Sequence, residues 1–230
     1  MDYPIYPCGD SALTVKVGNG ISEEIHRRVF ALFSALEQAC ISGVTELVPT
    51  YDSLCVHFDP AVVSPMEMVS RLKAFELFAS AETPALEGRL VRIPVCYGGT
   101  YGPDLQTVAQ HAGMREEDVI RLHSGTTYLT YMLGFLPGFA YLGGMDERIA
   151  CPRLQSPRTQ IPAGSVGIAG KQTGIYPLAS PGGWQLIGRT PLKLFHFTET
   201  GAQFLLSAGD SVVFYPISEN IFREMEESDT

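Results

Sequence analysis

The chain has 230 residues, 45% hydrophobic and 18% charged, which is enough apolar content to bury a core in one large domain or two small ones. Its net charge of −9, without any run of lysine or arginine, argues against a nucleic-acid partner. No apolar run approaches bilayer-spanning length, and the N-terminus MDYPIYPCGD lacks the apolar core of a signal peptide, so a cytoplasmic protein with no membrane partner is expected.

In chain order, Ala12 to Val17 alternates like a strand and stops at the turn Gly18-Asn19-Gly20. Ser22 is the expected N-cap of a helix whose first turn carries Glu23 and Glu24, favourable against the helix dipole. Ile25, Val29, Leu32, Phe33 and Leu36 recur at helical spacing, so that helix runs to about Ala39, with Gly43 as its exit. Val44 to Pro49 and Leu54 to Phe58 read as strands. Pro65 opens a second helix with Met68, Leu72, Phe75 and Phe78 on one face. Residues 80–88, SAETPALEG, read as a linker, which divides the chain into a small α/β N-terminal domain (1–84) and a second domain (85–230).

The second part opens with a strand from Leu90 to Val95, followed by helices over about 103–111 and 115–123. Its texture then changes. From Gly134 to Leu192 there are 11 glycines and 7 prolines in 59 residues, so no helix of ordinary length fits. Short β-branched or aromatic pieces do fit: Thr127 to Met132, Ser165 to Ala169, Trp184 to Ile187, Leu192 to Phe197 and Ser211 to Tyr215. The expected fold is therefore an α+β N-terminal domain followed by a mainly β barrel or sandwich.

Five cysteines at wide spacing, with no CxxC and no Cys/His cluster, predict free, mostly buried thiols and no metal site. Charge is distributed unevenly. From Ile149 to Thr198 there is no Asp or Glu, while Arg153, Arg158, Lys171, Arg189 and Lys193 give that window +5. Such an excess in an acidic chain points to a small anion, a carboxylate or a phosphate. Arg153 and Arg158 each follow a proline, which stiffens the backbone beneath them. Phe135, Phe139, Tyr141, Tyr176 and Trp184 lie among glycines and prolines, where backbone can approach a ligand and rings can wall it. His123, at the end of a predicted helix, is a candidate general base or anion donor. There is no Walker A pattern, no GxGxxG after a strand and no GxSxG elbow.

The stretches YMLGFLPGFAYLGG (131–144), PRLQSPRTQIPAGSVGIAGKQTGIYPLASPGGWQLIGRTPL (152–192) and AGDSVVF (208–214) resemble the family called allophanate hydrolase subunit 1, KipI or PxpB. So do CGDSAL (8–13), YDSLCVHFDP (51–60) and CYGGTYGPDL (96–105). The resemblance implies a cyclophilin-like β-barrel as the second domain. It also implies a role as the B subunit of a 5-oxoprolinase, which opens 5-oxo-L-proline to L-glutamate at the expense of ATP together with its A and C subunits. Relatives inhibit a sporulation histidine kinase or form part of urea carboxylase. Mapped onto this sequence, the family motif implies His123, Arg153 and Arg158 as catalytic residues. Phe135, Tyr141, Gln172, Tyr176, Trp184 and Arg189 are implied as substrate-binding, with the ATP site completed by a partner subunit.

Overall fold

A computed structural model of the chain describes residues 3–75, 88–199 and 201–228. The chain falls into two compact units, residues 1–87 and 88–230. The expected linker up to Glu87, the expected boundary at 84/85 and the expected apolar position Phe78 lie outside the described residues.

The first unit runs β1 (Ile5–Pro7), β2 (Ala12–Lys16), α1 (Glu23–Ala39), β3 (Val44–Pro49), β4 (Ser53–Phe58) and α2 (Pro65–Phe75). The strands form an antiparallel sheet in the order β1-β2-β4-β3. Side-chain alternation buries Leu13 and Val15 with Leu54, Val56 and Phe58. Val29, Leu32 and Leu36 of α1 and Met68 and Leu72 of α2 complete that core. Ser22 caps α1 as its sequence implies, its Oγ accepting from the Ile25 N–H, and α1 ends at Cys40 in the left-handed region. The sequence pattern does not reveal β1, which contains Pro7; proline is tolerated because β1 is an edge strand.

The second unit contains β5 (Leu90–Tyr97), α3 (Leu105–Ala112), α4 (Glu116–Ser124), β6 (Thr127–Leu133), β7 (Ala140–Gly143), β8 (Arg158–Ile161) and β9 (Ser165–Ala169). It continues with β10 (Gln172–Ile175), β11 (Ser180–Gly182), β12 (Gln185–Arg189), β13 (Phe195–Thr198), β14 (Gly201–Phe204), β15 (Ser211–Pro216) and α5 (Glu219–Ser228). Seven of these strands close a barrel in the order β10-β7-β6-β15-β5-β12-β9. All neighbours are antiparallel except β15 and β5, which run parallel. The barrel is filled by Ile93, Val95, Tyr128, Leu142, Ile168 and Phe214 among others. Two small ladders, β8 with β11 and β13 with β14, lie outside the closed sheet.

The breaker-rich stretch contains strands of three to five residues and one short 3-10 turn over Glu147–Ile149, in line with its composition. No described helix is long and apolar enough to cross a membrane. All five cysteines are free, but only Cys96 and Cys151 are buried; Cys8 and Cys40 are exposed, which corrects the expectation of mostly buried thiols.

Candidate functional site

Four rings meet beside the barrel, supplied by the ends of three of its strands. Phe139 precedes β7, Tyr141 lies within it, Tyr176 follows β10 and Trp184 precedes β12. Phe139 is the hub, edge-to-face with Trp184 at 5.4 Å, Tyr176 at 5.2 Å and Tyr141 at 4.9 Å between centroids. Glycines make the seat for the indole. A Cβ on Gly174 would stand 3.1 Å from Trp184 Cζ3 and 2.9 Å from the Ala140 carbonyl oxygen, and one on Gly167 would stand 3.0 Å from Trp184 Cβ. These strands can approach the tryptophan only without side chains there.

Above the rings opens a cleft of about 440 Å³, walled by Phe139, Tyr141, Tyr176 and Trp184, with the Ser180-Pro181-Gly182-Gly183 backbone on one side. Its volume suits a small molecule. Arg153 is the only charged residue in the lining among the described residues, and its guanidinium carbon lies 5.9 Å from the Trp184 ring centroid, in cation–π range. Burial pushes the Tyr141 and Tyr176 phenols up, with Arg153 acting in the opposite direction. Both therefore stay protonated at neutral pH.

Phe135 stands at the rim, 64% exposed, with φ +68. The Leu136 N–H donates to the Gly134 carbonyl at 2.8 Å, closing a three-residue turn around Phe135. A γ-turn of positive φ is strained for a bulky residue, and such strain concentrates at ligand-binding segments.

The structure thus brings together five of the expected residues: Phe135, Tyr141, Arg153, Tyr176 and Trp184. The other four are not in the lining. His123 is fully buried in the barrel core, stacked on Phe214 at 4.6 Å. Its Nδ1 is 2.8 Å from the Tyr97 hydroxyl and its Nε2 is 2.9 Å from Thr173 Oγ1. Burial lowers its pKa to about 3, so it is a neutral ring with both nitrogens occupied rather than a base facing a ligand.

Arg158 donates from Nη2 to Asp104 Oδ1 at 2.7 Å, while Asp104 Oδ2 accepts the Leu186 N–H at 2.7 Å. Arg189 donates to the Ala163 carbonyl, lies 3.5 Å from Glu226 Oε1 and covers the Phe222 ring, thereby holding α5. Gln172 opens β10 in register with Ala169. The acid-free window is therefore not a pool of free cations. Arg158, Lys171 and Arg189 pair with Asp104, Glu147 and Glu226, whereas no carboxylate pairs with Arg153 among the described residues.

Sequence reasoning missed Ser180, which is among the residues lining the cleft and whose hydroxyl is buried. Nothing in the run Leu178-Ala179-Ser180-Pro181 sets this serine apart from a turn residue. Among the described residues no three side chains of metal-binding type gather.

The family model described as carboxyltransferase domain, subdomain C and D, matches residues 3–206. A protein of Bacillus subtilis, named as the B subunit of 5-oxoprolinase, is 46% identical, over 98% of this chain and 97% of that protein. Among solved structures, a conserved uncharacterized protein of Pyrococcus horikoshii is 50% identical with a TM-score of 0.56, covering 95% of this chain and all of that one. Another crystal structure, 38% identical with a TM-score of 0.77, covers 90% of this chain but belongs to a longer one, of which this chain spans 40%.

Proposed function

Because the chain belongs to the family of the carboxyltransferase domain, subdomains C and D, and matches a 5-oxoprolinase component along nearly its whole length, we propose that it is the B subunit of a 5-oxoprolinase. It works in a complex with the A and C subunits, in the cytoplasm, on the ATP-dependent opening of 5-oxo-L-proline to L-glutamate. We take its two compact units as separate domains, the second a cyclophilin-like barrel.

The observation that supports this reading is Arg153, a guanidinium with no carboxylate partner among the described residues, over the wall of an aromatic cleft. 5-Oxoproline is a small ring with one carboxylate. The arginine answers the carboxylate, and the rings answer the apolar faces of the lactam. The apolar faces of Phe139, Tyr176 and Trp184 would displace water from one side of a bound ring, which strengthens the charge pairing. The barrel core histidine is left out of this scheme, as are Arg158 and Arg189.

We do not place ATP in the same cleft. A triphosphate needs several cations or a set of metal ligands, and the lining offers one arginine. The nucleotide is assigned to a partner subunit, so the isolated chain is expected to be inactive.

Co-expression with the A and C subunits, followed by glutamate release from 5-oxo-L-proline with and without ATP, tests the assignment. A complex that releases no glutamate overturns it. Arg153→Ala is expected to raise KM about tenfold to a hundredfold, as the loss of a hydrogen bond to a charged group implies. An unchanged KM removes Arg153 from carboxylate binding.

A further inference from the structure

Ser180 begins β11, where its backbone pairs with Ile161, and the residue is one of those lining the aromatic cleft. The residue is 7% exposed, and its hydroxyl has no hydrogen-bond partner among the described residues. That is an unusual state for a buried polar atom, because a hydroxyl taken from water and left unpaired costs stability. Alanine would pack the same position without that cost. Of the two phenols in the lining, that of Tyr176 faces the Trp184 backbone amide and that of Tyr141 is also engaged, whereas the Ser180 hydroxyl is without a partner among the described residues.

We propose that Ser180 contacts the substrate and sets its specificity by binding the amide end of the ring while Arg153 holds the carboxylate. The inference rests on the 5-oxoproline reading of this cleft. The division of labour follows from charge. Among the described residues Arg153 is the only charged one in the lining, so the carboxylate goes there. What remains of a lactam to be recognised is a C=O acceptor and an N–H donor, and a serine hydroxyl can serve either. A site built to hydrogen-bond a polar group rejects analogues that lack it, because its own buried group is then left unpaired.

The test uses the assembled complex with Ser180→Ala and Ser180→Cys. Ser180→Ala is expected to raise KM for 5-oxo-L-proline about tenfold, and Ser180→Cys, with its weaker donor, less. The melting temperature of the Ala variant stays equal to wild type or rises, since an unpaired buried group has been removed. Two fragments of the substrate locate the contact as competitive inhibitors. 2-Pyrrolidinone keeps the lactam and lacks the carboxylate; L-proline keeps the carboxylate and lacks the lactam carbonyl. Ser180→Ala should weaken 2-pyrrolidinone and spare L-proline, and Arg153→Ala should do the reverse. A wild-type complex that turns over 5-oxo-L-proline while Ser180→Ala leaves KM unchanged overturns the Ser180 assignment alone. A fall in melting temperature at unchanged KM also overturns it, giving the hydroxyl a structural role. A wild-type complex that neither binds nor turns over 5-oxo-L-proline overturns the substrate reading, and this assignment with it.

Discussion

Removing the guanidinium of Arg158 would strand the carboxylate of Asp104, which is 7% exposed and otherwise holds only the Leu186 amide. Breaking a buried pair from one side costs about 3–5 kcal/mol, and partial exposure of the arginine puts the expectation for Arg158→Ala near the lower end, at about 3 kcal/mol. Denaturant melts of the chain would measure this. The KM of the assembled complex should not move, in contrast to Arg153→Ala. The two arginines are alike in sequence, each following a proline in the same acid-free window. What separates them is an aspartate 54 residues away in the chain, brought alongside by the fold. Charge composition alone points to an anion and cannot assign it to one arginine. His123 is a similar case, because a buried imidazole between two hydroxyls and an imidazole facing a substrate have the same letter and the same neighbours in sequence.

At the level of elements, legibility follows periodicity. Helix α1 repeats its apolar side every three or four residues over 17 residues and carries its own cap, so both its face and its start can be read. Helix α5 buries only Phe222, and one ring makes no pattern. Strands β7, β8, β10, β11 and β14 have three or four residues each, too short for alternation to rise above chance. Gly174 of β10 and Gly182 of β11, which blur the pattern, are what makes the aromatic wall possible. Gly174→Ala tests this at β10. Its new Cβ meets the Ala140 carbonyl and the Trp184 ring, both within about 3 Å, and neither is free to retreat. Overpacking of this kind costs about 1–3 kcal/mol. The expected outcome is a lower melting temperature together with a raised KM, since the indole that walls the cleft is the group displaced.

Across the whole molecule, acid should act on both units through a buried histidine in each. Burial is the main cause that lowers His26 in the first unit from 6.5 to about 4, with a hydrogen bond to the Thr50 backbone opposing it, and burial lowers His123 in the second to about 3. The unfolded chain takes up these protons near pH 6.5 and the folded chain does not. The stabilisation is therefore complete above pH 6.5 and is lost as pH falls, down to about pH 4 for His26, where its share amounts to about 3 kcal/mol. For His123 the loss continues to about pH 3. Melts at successive pH values should show stability falling from about pH 6.5, and His26→Leu should flatten the part of that slope above pH 4. The barrel also sets a constraint during synthesis. Strand β15 is inserted between β5 and β6, pairing with one in parallel and the other antiparallel, although it is translated more than a hundred residues after β5 begins. Until residues 211–216 leave the ribosome, two hydrogen-bonding edges of the sheet face solvent unpaired. The nascent chain thus passes through a window in which wrong strand pairing competes with closure, and the final strand works as the latch that ends it.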